Sequence, residues 1–284
     1  MAKLIDTHIH LDDAQYDGDR DEIIAQFFAS GGEALINVGA GLGSSARSVA
    51  LAKSHENIFA AVGFHPHYFN EYKEKSFDRV GELESLAKDE RVVAIGEIGL
   101  DYFSHTDEPI DDRQKELQKK GFEHQLDLAK KLHLPVIIHC RGTRSEAGSK
   151  FRETIEAYDD ALEVIKKFLD LKYVFHGYGG NLEFSKKILG NDNMKFSFNG
   201  NITYAKPNAE IFEVIRLIPI ERIMVETDGP YLTPVPFRGK RNDPIYVKYV
   251  IGKLAEVKDM EPSEVERVTE KNAIDFFGKL AQNR

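Results

Sequence analysis

Leu4-Ile5-Asp6-Thr7-His8-Ile9-His10 reads as a short apolar strand ending in two histidines one residue apart. Residues i and i+2 of a strand point to the same side, so both imidazoles face one way. The same pattern recurs down the chain. Ala34-Leu35-Ile36-Asn37-Val38 runs into Gly39, Ile58-Phe59-Ala60-Ala61-Val62 into Gly63, and Val92-Val93-Ala94-Ile95 into Gly96. Leu134-Pro135-Val136-Ile137-Ile138 runs into His139, and Tyr173-Val174-Phe175 into His176. Met194-Lys195-Phe196-Ser197-Phe198 runs into Asn199, and Arg222-Ile223-Met224-Val225 into Glu226. That makes eight candidate strands. They are nearly all apolar rather than alternating, as strands covered on both faces are.

Amphipathic, helix-period stretches lie between them, among them residues 21–29, 44–54, 118–132, 160–169 and 208–217. Strict alternation of strand and helix over eight strands predicts an α/β fold, a closed (β/α)8 TIM-type barrel. A doubly wound open sheet is the alternative, weakened because no glycine-rich phosphate fingerprint follows the first strand. A last helix, about 262–277, is expected to pack outside the ring. The long connections after Asp101 and after Arg141 read as active-site loops. No repeat, low-complexity segment or linker interrupts the pattern, so residues 1–284 read as one domain.

Composition agrees with a single soluble barrel. Of 284 residues, 42% are hydrophobic and 30% charged, enough to bury a full core. No apolar run approaches the roughly 20 residues of a membrane helix. Met1-Ala2-Lys3-Leu4-Ile5-Asp6 shows no signal-peptide segment, and Cys140 is the only cysteine, so no disulfide framework is possible. The expected compartment is the cytoplasm. A net charge of −9 argues against a broad basic surface for duplex nucleic acid. It leaves room for a nuclease, because bound cations and a few arginines supply positive charge locally. Arg238-Gly239-Lys240-Arg241 is the only compact basic cluster, and a solvated loop is its bland explanation.

Polar residues able to bind metal fall at the C-terminal ends of the strands, the rim where barrel enzymes place their active sites. His8 and His10 end the first strand, His65 and His67 follow the third, and Glu97 ends the fourth. His139 and Arg141 end the fifth, His176 the sixth, and Asp228 follows the eighth. Strand alternation turns Cys140 away from His139 and Arg141, towards the helices. Each residue has an ordinary reading alone. A lone His-x-His is a common strand end, His176 could be a hydrogen-bonded core histidine, and Glu97 could pair with a lysine. Asp228, in Thr227-Asp228-Gly229-Pro230, could cap a turn. Their convergence changes the reading, because four histidines and two carboxylates are costly to bury together unless cations hold them. Imidazole and carboxylate without thiolate suit Mg, Mn or Zn, and Ni or Co in vitro. Two such ions, roughly 3.5–4 Å apart, are a common arrangement for phosphoester hydrolysis.

These residues, taken in order, resemble the TatD-type deoxyribonucleases of the metal-dependent hydrolase superfamily. The matching segments are Asp6-Thr7-His8-Ile9-His10-Leu11, Val62-Gly63-Phe64-His65-Pro66-His67, and Ala94-Ile95-Gly96-Glu97-Ile98-Gly99-Leu100-Asp101-Tyr102. They continue with Phe122-Glu123-His124-Gln125 leading to Leu134-Pro135-Val136-Ile137-Ile138-His139-Cys140-Arg141. The last are Val225-Glu226-Thr227-Asp228-Gly229-Pro230-Tyr231-Leu232 and Phe237-Arg238-Gly239-Lys240-Arg241-Asn242. The resemblance implies that His8, His10, Glu97 and Asp228 bind a first metal. Glu97, bridging, would bind a second with His139 and His176. It implies attack by a metal-bound hydroxide, with Asp228 orienting it or taking its proton. His65 and Arg141 would contact the substrate phosphate, and Glu226 would support the site from behind. The chain departs from the family at Gly177-Tyr178-Gly179-Gly180, where a hydroxyl is missing, at Gly142-Thr143-Arg144, and in the acidic loop 103–112.

The expected activity is hydrolysis of phosphodiester bonds in DNA, with 3′-to-5′ exonuclease action as one form. An acidic surface favours capture of single-stranded ends over tracking along duplex. Tyr68, Tyr102 and Tyr204 are candidate stacking residues, with packing the commoner role of each. A small-molecule metallohydrolase acting on amides, lactones or phosphotriesters is the alternative use of the same metals. Glu97 stands where related barrels often carry a carboxylated lysine, which favours the nuclease branch. A catalytically dead barrel serving as a binding module is disfavoured by the intact ligand set. No membrane partner is expected, and the oligomeric state is left open.

Overall fold

The computed structural model describes residues 3–71, 77, 79–104, 108–143 and 155–283. Residues 144–154 of the loop after Arg141 and 105–107 of the loop after Asp101 lie outside the described residues. Eight parallel strands form one sheet in sequence order: β1 (Leu4–Ile9), β2 (Gly32–Val38), β3 (Ile58–Val62), β4 (Val92–Asp101), β5 (Val136–Arg141), β6 (Tyr173–Phe175), β7 (Met194–Phe198) and β8 (Ile223–Val225). The helices are α1 (Arg20–Ala29), α2 (Leu42–Ser54), α3 (Tyr68–Glu71), α4 (Val80–Ala87), α5 (Asp112–Leu132), α6 (Glu156–Ile165), α7 (Leu182–Ile188), α8 (Glu210–Leu217), α9 (Val247–Lys258) and α10 (Pro262–Phe277). This is the expected barrel. It closes between the last strand and the first, where the Asp228 N–H donates to the His8 carbonyl at 2.9 Å and the His10 N–H to the Gly229 carbonyl at 2.7 Å. The closing contacts themselves carry three of the expected site residues or their neighbours.

Two apolar layers explain the near-continuous hydrophobic strands. Inside the barrel, Ile5, Ala34, Ile36, Phe59, Ala61, Val93, Ile137, Val174 and Met224 form one buried cluster. A larger cluster lies between strands and helices and takes in Cys140, as the alternation of β5 predicts. The last helix corrects the expectation of simple packing outside the ring. Ala273, Phe276 and Phe277 of α10, with Leu280, join the interior cluster. Asn272 Nδ2 donates to the Ile223 carbonyl at 2.7 Å, Lys172 Nζ to Asp275 O at 3.3 Å, and Lys279 Nζ to Val92 O at 2.5 Å. These partners stand at the N-terminal ends of β8, β6 and β4. The helix therefore closes the bottom of the barrel, opposite the rim that carries the polar residues.

Two elements differ in extent from the sequence reading. Strand β4 continues past Ile95 to Asp101, so Glu97 is inside a strand rather than at its end. Helix α5 begins at Asp112, where Asp111 forms a capping box with Gln114: the Gln114 N–H donates to Asp111 Oδ1 at 2.7 Å. Its added turns matter to the rim. Gln118 and Gln125 are seven residues apart, on one face, and both are fully buried. Gln125 brackets the backbone of Phe64 (2.7 and 3.1 Å) and Gln118 that of Asp101 (2.8 and 2.8 Å). One helix thus clamps the chain just before His65 and at the end of β4.

Candidate metal centre

Six side chains from five strands and the residues just beyond them meet at the mouth of the barrel. The Nε2 atoms of His8 and His10 lie 3.3 Å apart. Asp228 Oδ1 is 3.7 Å from the first and 3.5 Å from the second. Across the mouth, His139 Nδ1 lies 2.9 Å from His176 Nε2. Glu97 stands between the two groups. Its Oε2 atom is 3.6 Å from His8, 3.5 Å from His139 and 3.1 Å from His176, and its Oε1 atom is 3.9 Å from His10. Ligands held about 2.1 Å from a common ion lie about 3.0–3.5 Å apart, and the separations in this donor set are at or a few tenths of an ångström beyond that range, so small side-chain adjustments would fit it to divalent cations. His8, His10 and Asp228 form one such group, and His8, Glu97 and His176 another.

The folding of the rim sets which atom of each ring faces inward. His10 Nδ1 lies 2.8 Å from the Val38 carbonyl and donates to it, which leaves the Nε2 lone pair for the site. His139 Nε2 lies 3.2 Å from Asp101 Oδ2, which leaves Nδ1 facing Glu97. His176 Nδ1 is 3.5 Å from Glu226 Oε1, an atom that also accepts from the Gly177 N–H at 2.6 Å. Gly177 has φ +51, a conformation open to glycine. The neighbouring segment that carries Asp228 is fixed by Asp6, which accepts from Thr227 N at 2.9 Å and from Thr227 Oγ1 at 2.5 Å. Burial pushes the Asp6 carboxyl up to about 8 in spite of these bonds. His8 Nδ1 is buried with no hydrogen-bond partner among the described residues.

Charge is divided unevenly across these side chains. Burial alone would lower His10 and His139, but hydrogen bonds to Asp228 and Asp101 respectively, with the Glu97 charge, raise both to about 9. Burial likewise opposes His176, and its bonds to Glu226 and Glu97 lift it well above the ordinary range. Burial and the neighbouring His176 hold His8 well below it. Burial would raise Glu97, yet His139 and His176 bring it well below the usual carboxylate range.

The remaining expected residues lie at the same rim with different surroundings. His65 packs edge-on against His139, ring centroids 4.4 Å apart, and burial followed by the His139 charge lowers it to about 3. It also forms a possible ligand group with Glu97 and His139. The Arg141 guanidinium lies 3.7 Å over the Phe103 ring. Of the candidate stacking residues, Tyr102 takes the packing role given above as the commoner one: it is buried, with its hydroxyl on Asp160 at 2.7 Å. Tyr68 packs on Phe64 at 4.2 Å, and Tyr204 lies under Arg238 at 4.4 Å. Arg241 is held by Asp19 at 2.7 and 2.8 Å, so the basic cluster is partly structural. Two residues escaped the sequence reading of the site. Asp101 faces His139, His67 (3.3 Å) and His65 (3.9 Å) with one oxygen. Its signal was its position four residues beyond Glu97, on the same side of β4. Tyr231, three residues past Asp228, lies with its ring 6.2 Å from that of His10.

Comparison with known proteins places this rim in a family. A family model described as TatD related DNase matches residues 5–278. The chain belongs to the TatD family. A member from Bacillus subtilis (strain 168), named as the metal-dependent hydrolase YabD, is 36% identical over 276 residues, covering 96% of this chain and 98% of that protein. A protein of Cronobacter sakazakii named as the 3′-5′ ssDNA/RNA exonuclease TatD is 28% identical, covering 98% and 99%. The crystal structure of YJJV, a TatD homologue from Escherichia coli k12, superposes with a TM-score of 0.81 at 27% identity, covering 97% and 98%. The chain is therefore a member of a family of metal-dependent hydrolases. No helix among its described residues is long and apolar enough to cross a membrane.

Proposed function

We propose that the chain is a two-metal phosphodiesterase that removes nucleotides from the ends of single-stranded DNA in the 3′-to-5′ direction. One observation carries the reading: the Glu97 carboxylate lies within 3.9 Å of imidazole nitrogens from four histidines, which suits a bridge between two ions. His8, His10, Glu97 and Asp228 would hold one ion, and Glu97, His139 and His176 the other. Bound there, the ions supply Lewis acidity and a nucleophile at neutral pH. The chain's own groups do the rest. Asp228 takes the proton of the attacking water. Its carboxylate is oriented by the αL backbone at residue 228 (φ 58) and by the bond from its N–H to His8 O. His65 and Arg141 hold phosphate oxygens, Arg141 by its planar fork braced on Phe103. Glu226 keeps His176 turned inward. The named exonuclease of Cronobacter sakazakii, similar over nearly the whole chain, supports the choice of substrate.

The test strips the protein with chelator, reloads it with Mg, Mn or Zn, and offers 3′- and 5′-labelled single-stranded DNA, RNA, and a panel of esters and amides. Asp228→Asn is the control, because asparagine tolerates the left-handed conformation and changes only the charge. Ion-dependent shortening from the 3′ end, lost by at least about 100-fold in the variant, is the expected result. Cleavage unchanged in Asp228→Asn would remove the claim. Turnover of esters or amides with DNA left intact would move the chain to small-molecule hydrolysis.

A further inference from the structure

We propose that the loop after Asp228 is a shelf for the substrate's bases, with Tyr231 stacking on the terminal base of a single strand and Leu232 and Val235 supporting its neighbour. The proposal rests on the phosphodiesterase reading and extends it from the metal centre to the rim. Four large hydrophobic residues are exposed among the described residues. Three of them, Tyr231 (50%), Leu232 (39%) and Val235 (46%), fall within five positions of this one loop. Single exposed apolar side chains need no explanation, but a cluster beside a polar concave site does.

The loop is firmly held, so its apolar side chains are displayed rather than loosely packed. Asn242 Nδ2 donates to the carbonyls of Thr227 at 2.8 Å and Tyr231 at 2.6 Å. The Val235 N–H donates to Thr203 Oγ1 at 2.9 Å. At Gly200 a Cβ would come within 2.0 Å of the Leu232 carbonyl, so only glycine lets the segment after β7 lie this close. Leu232 itself adopts φ 53, unfavourable for a leucine, and its side chain is exposed. The Tyr231 ring is oriented in turn: its hydroxyl donates to Asp13 Oδ2 at 3.1 Å, and its centroid lies 6.2 Å from His10. The ring therefore stands at the rim beside His10, the histidine that the proposed function gives to one ion.

Charge selects the occupant. Arg238 lies 4.4 Å over Tyr204 and Lys240 5.8 Å from the Phe237 ring, and among the described residues neither has a carboxylate at salt-bridge distance. In a chain of net charge −9, two such cations beside an apolar shelf fit a polyanion with stacking faces. Single-stranded nucleic acid has both, and stacking platforms flanked by cations are how it is bound without sequence preference. Duplex keeps its bases stacked on each other and has none to offer.

The experiment measures KM and kcat of the metal-loaded protein on a single-stranded oligonucleotide and on the same strand lacking the base of its 3′-terminal nucleotide. The wild type is expected to prefer the intact strand by roughly 5- to 100-fold in KM, the size of one base stack. Tyr231→Ala abolishes that preference with kcat little changed, while Tyr231→Phe retains it. Val235→Ser, whose side chain makes no hydrogen bond, loses part of the KM without relying on Tyr231. Full preference in Tyr231→Ala, or unchanged KM in both Tyr231→Ala and Val235→Ser, would overturn the shelf. Anisotropy of a labelled single strand separates this from the parent reading. Wild-type protein that binds the strand through Tyr231 yet never cuts it keeps the shelf and refutes the phosphodiesterase.

Discussion

Asp101 ends β4 with one carboxylate oxygen facing three imidazoles, and its bond to His139 decides which nitrogen of that ring faces Glu97. A carboxylate behind a metal-binding histidine raises the ligand's basicity and locks its tautomer. Asp101→Asn is expected to weaken binding at the His139–His176 side by about 10- to 100-fold, with the His8–His10 side little affected. Two-step titration calorimetry reads both, and equal loss at both steps would contradict this role. The imidazoles make a second prediction. His10 and His139 sit at about 9 and His176 well above its ordinary value, each lifted by carboxylates against the effect of burial. A raised value means the proton is held at neutral pH and lost only as pH rises through about 9. Ligation needs the neutral ring, so loading ions near neutral pH expels protons, and affinity rises with pH up to that range. Calorimetry in two buffers of different ionisation enthalpy would show this release, and a buffer-independent heat would argue against it. At this scale the six converging side chains were legible because strand alternation and strand ends fix where they point. Tyr231 was not, because nothing in Pro230-Tyr231-Leu232 tells an exposed ring from a buried one.

Helix α5 is the element that joins core to site. Its buried Gln118 and Gln125 satisfy backbone groups of Asp101, at the end of β4, and of Phe64, just beyond β3. Gln118→Leu leaves two buried backbone groups unpaired, at about 1–3 kcal/mol each. Chemical denaturation should report that loss. The same variant should also weaken ion binding, because the end of β4 carries Asp101. Loss of stability with ion affinity intact would show the clamp to be structural only. The helix-period pattern gave residues 118–132 of this helix, yet its first turns, rich in Arg, Gln and Lys, carry little apolar signal and became visible only through the Asp111 cap. Short α7, seven residues long, offers too few turns for periodicity to register. Strand β4 was read short because Gly96 and Gly99 interrupt the apolar run, although the pairing of Gly99 with His139 continues it.

At the level of the whole molecule, closure and chemistry are one feature. The bonds that join β8 to β1 run through His8, His10, Asp228 and Gly229, so the barrel cannot close without bringing these residues together. α10 closes the opposite end with Phe276, Phe277 and Leu280, leaving the polar rim as the open end. Eight apolar runs, with metal-capable residues at or just beyond most of their C-terminal ends, were enough to give the barrel and its polar rim. The capping role of α10 was not legible, since an amphipathic helix reads the same whether it joins a ring or covers a floor. The central claim is that Glu97 bridges two ions. The most direct measurement is the number of divalent ions per chain, by native mass spectrometry, after chelation and reloading of wild type and Glu97→Gln. Two ions are expected in the wild type and at most one in the variant at the same free ion concentration. A wild type that retains none, or a variant that retains two, would contradict it.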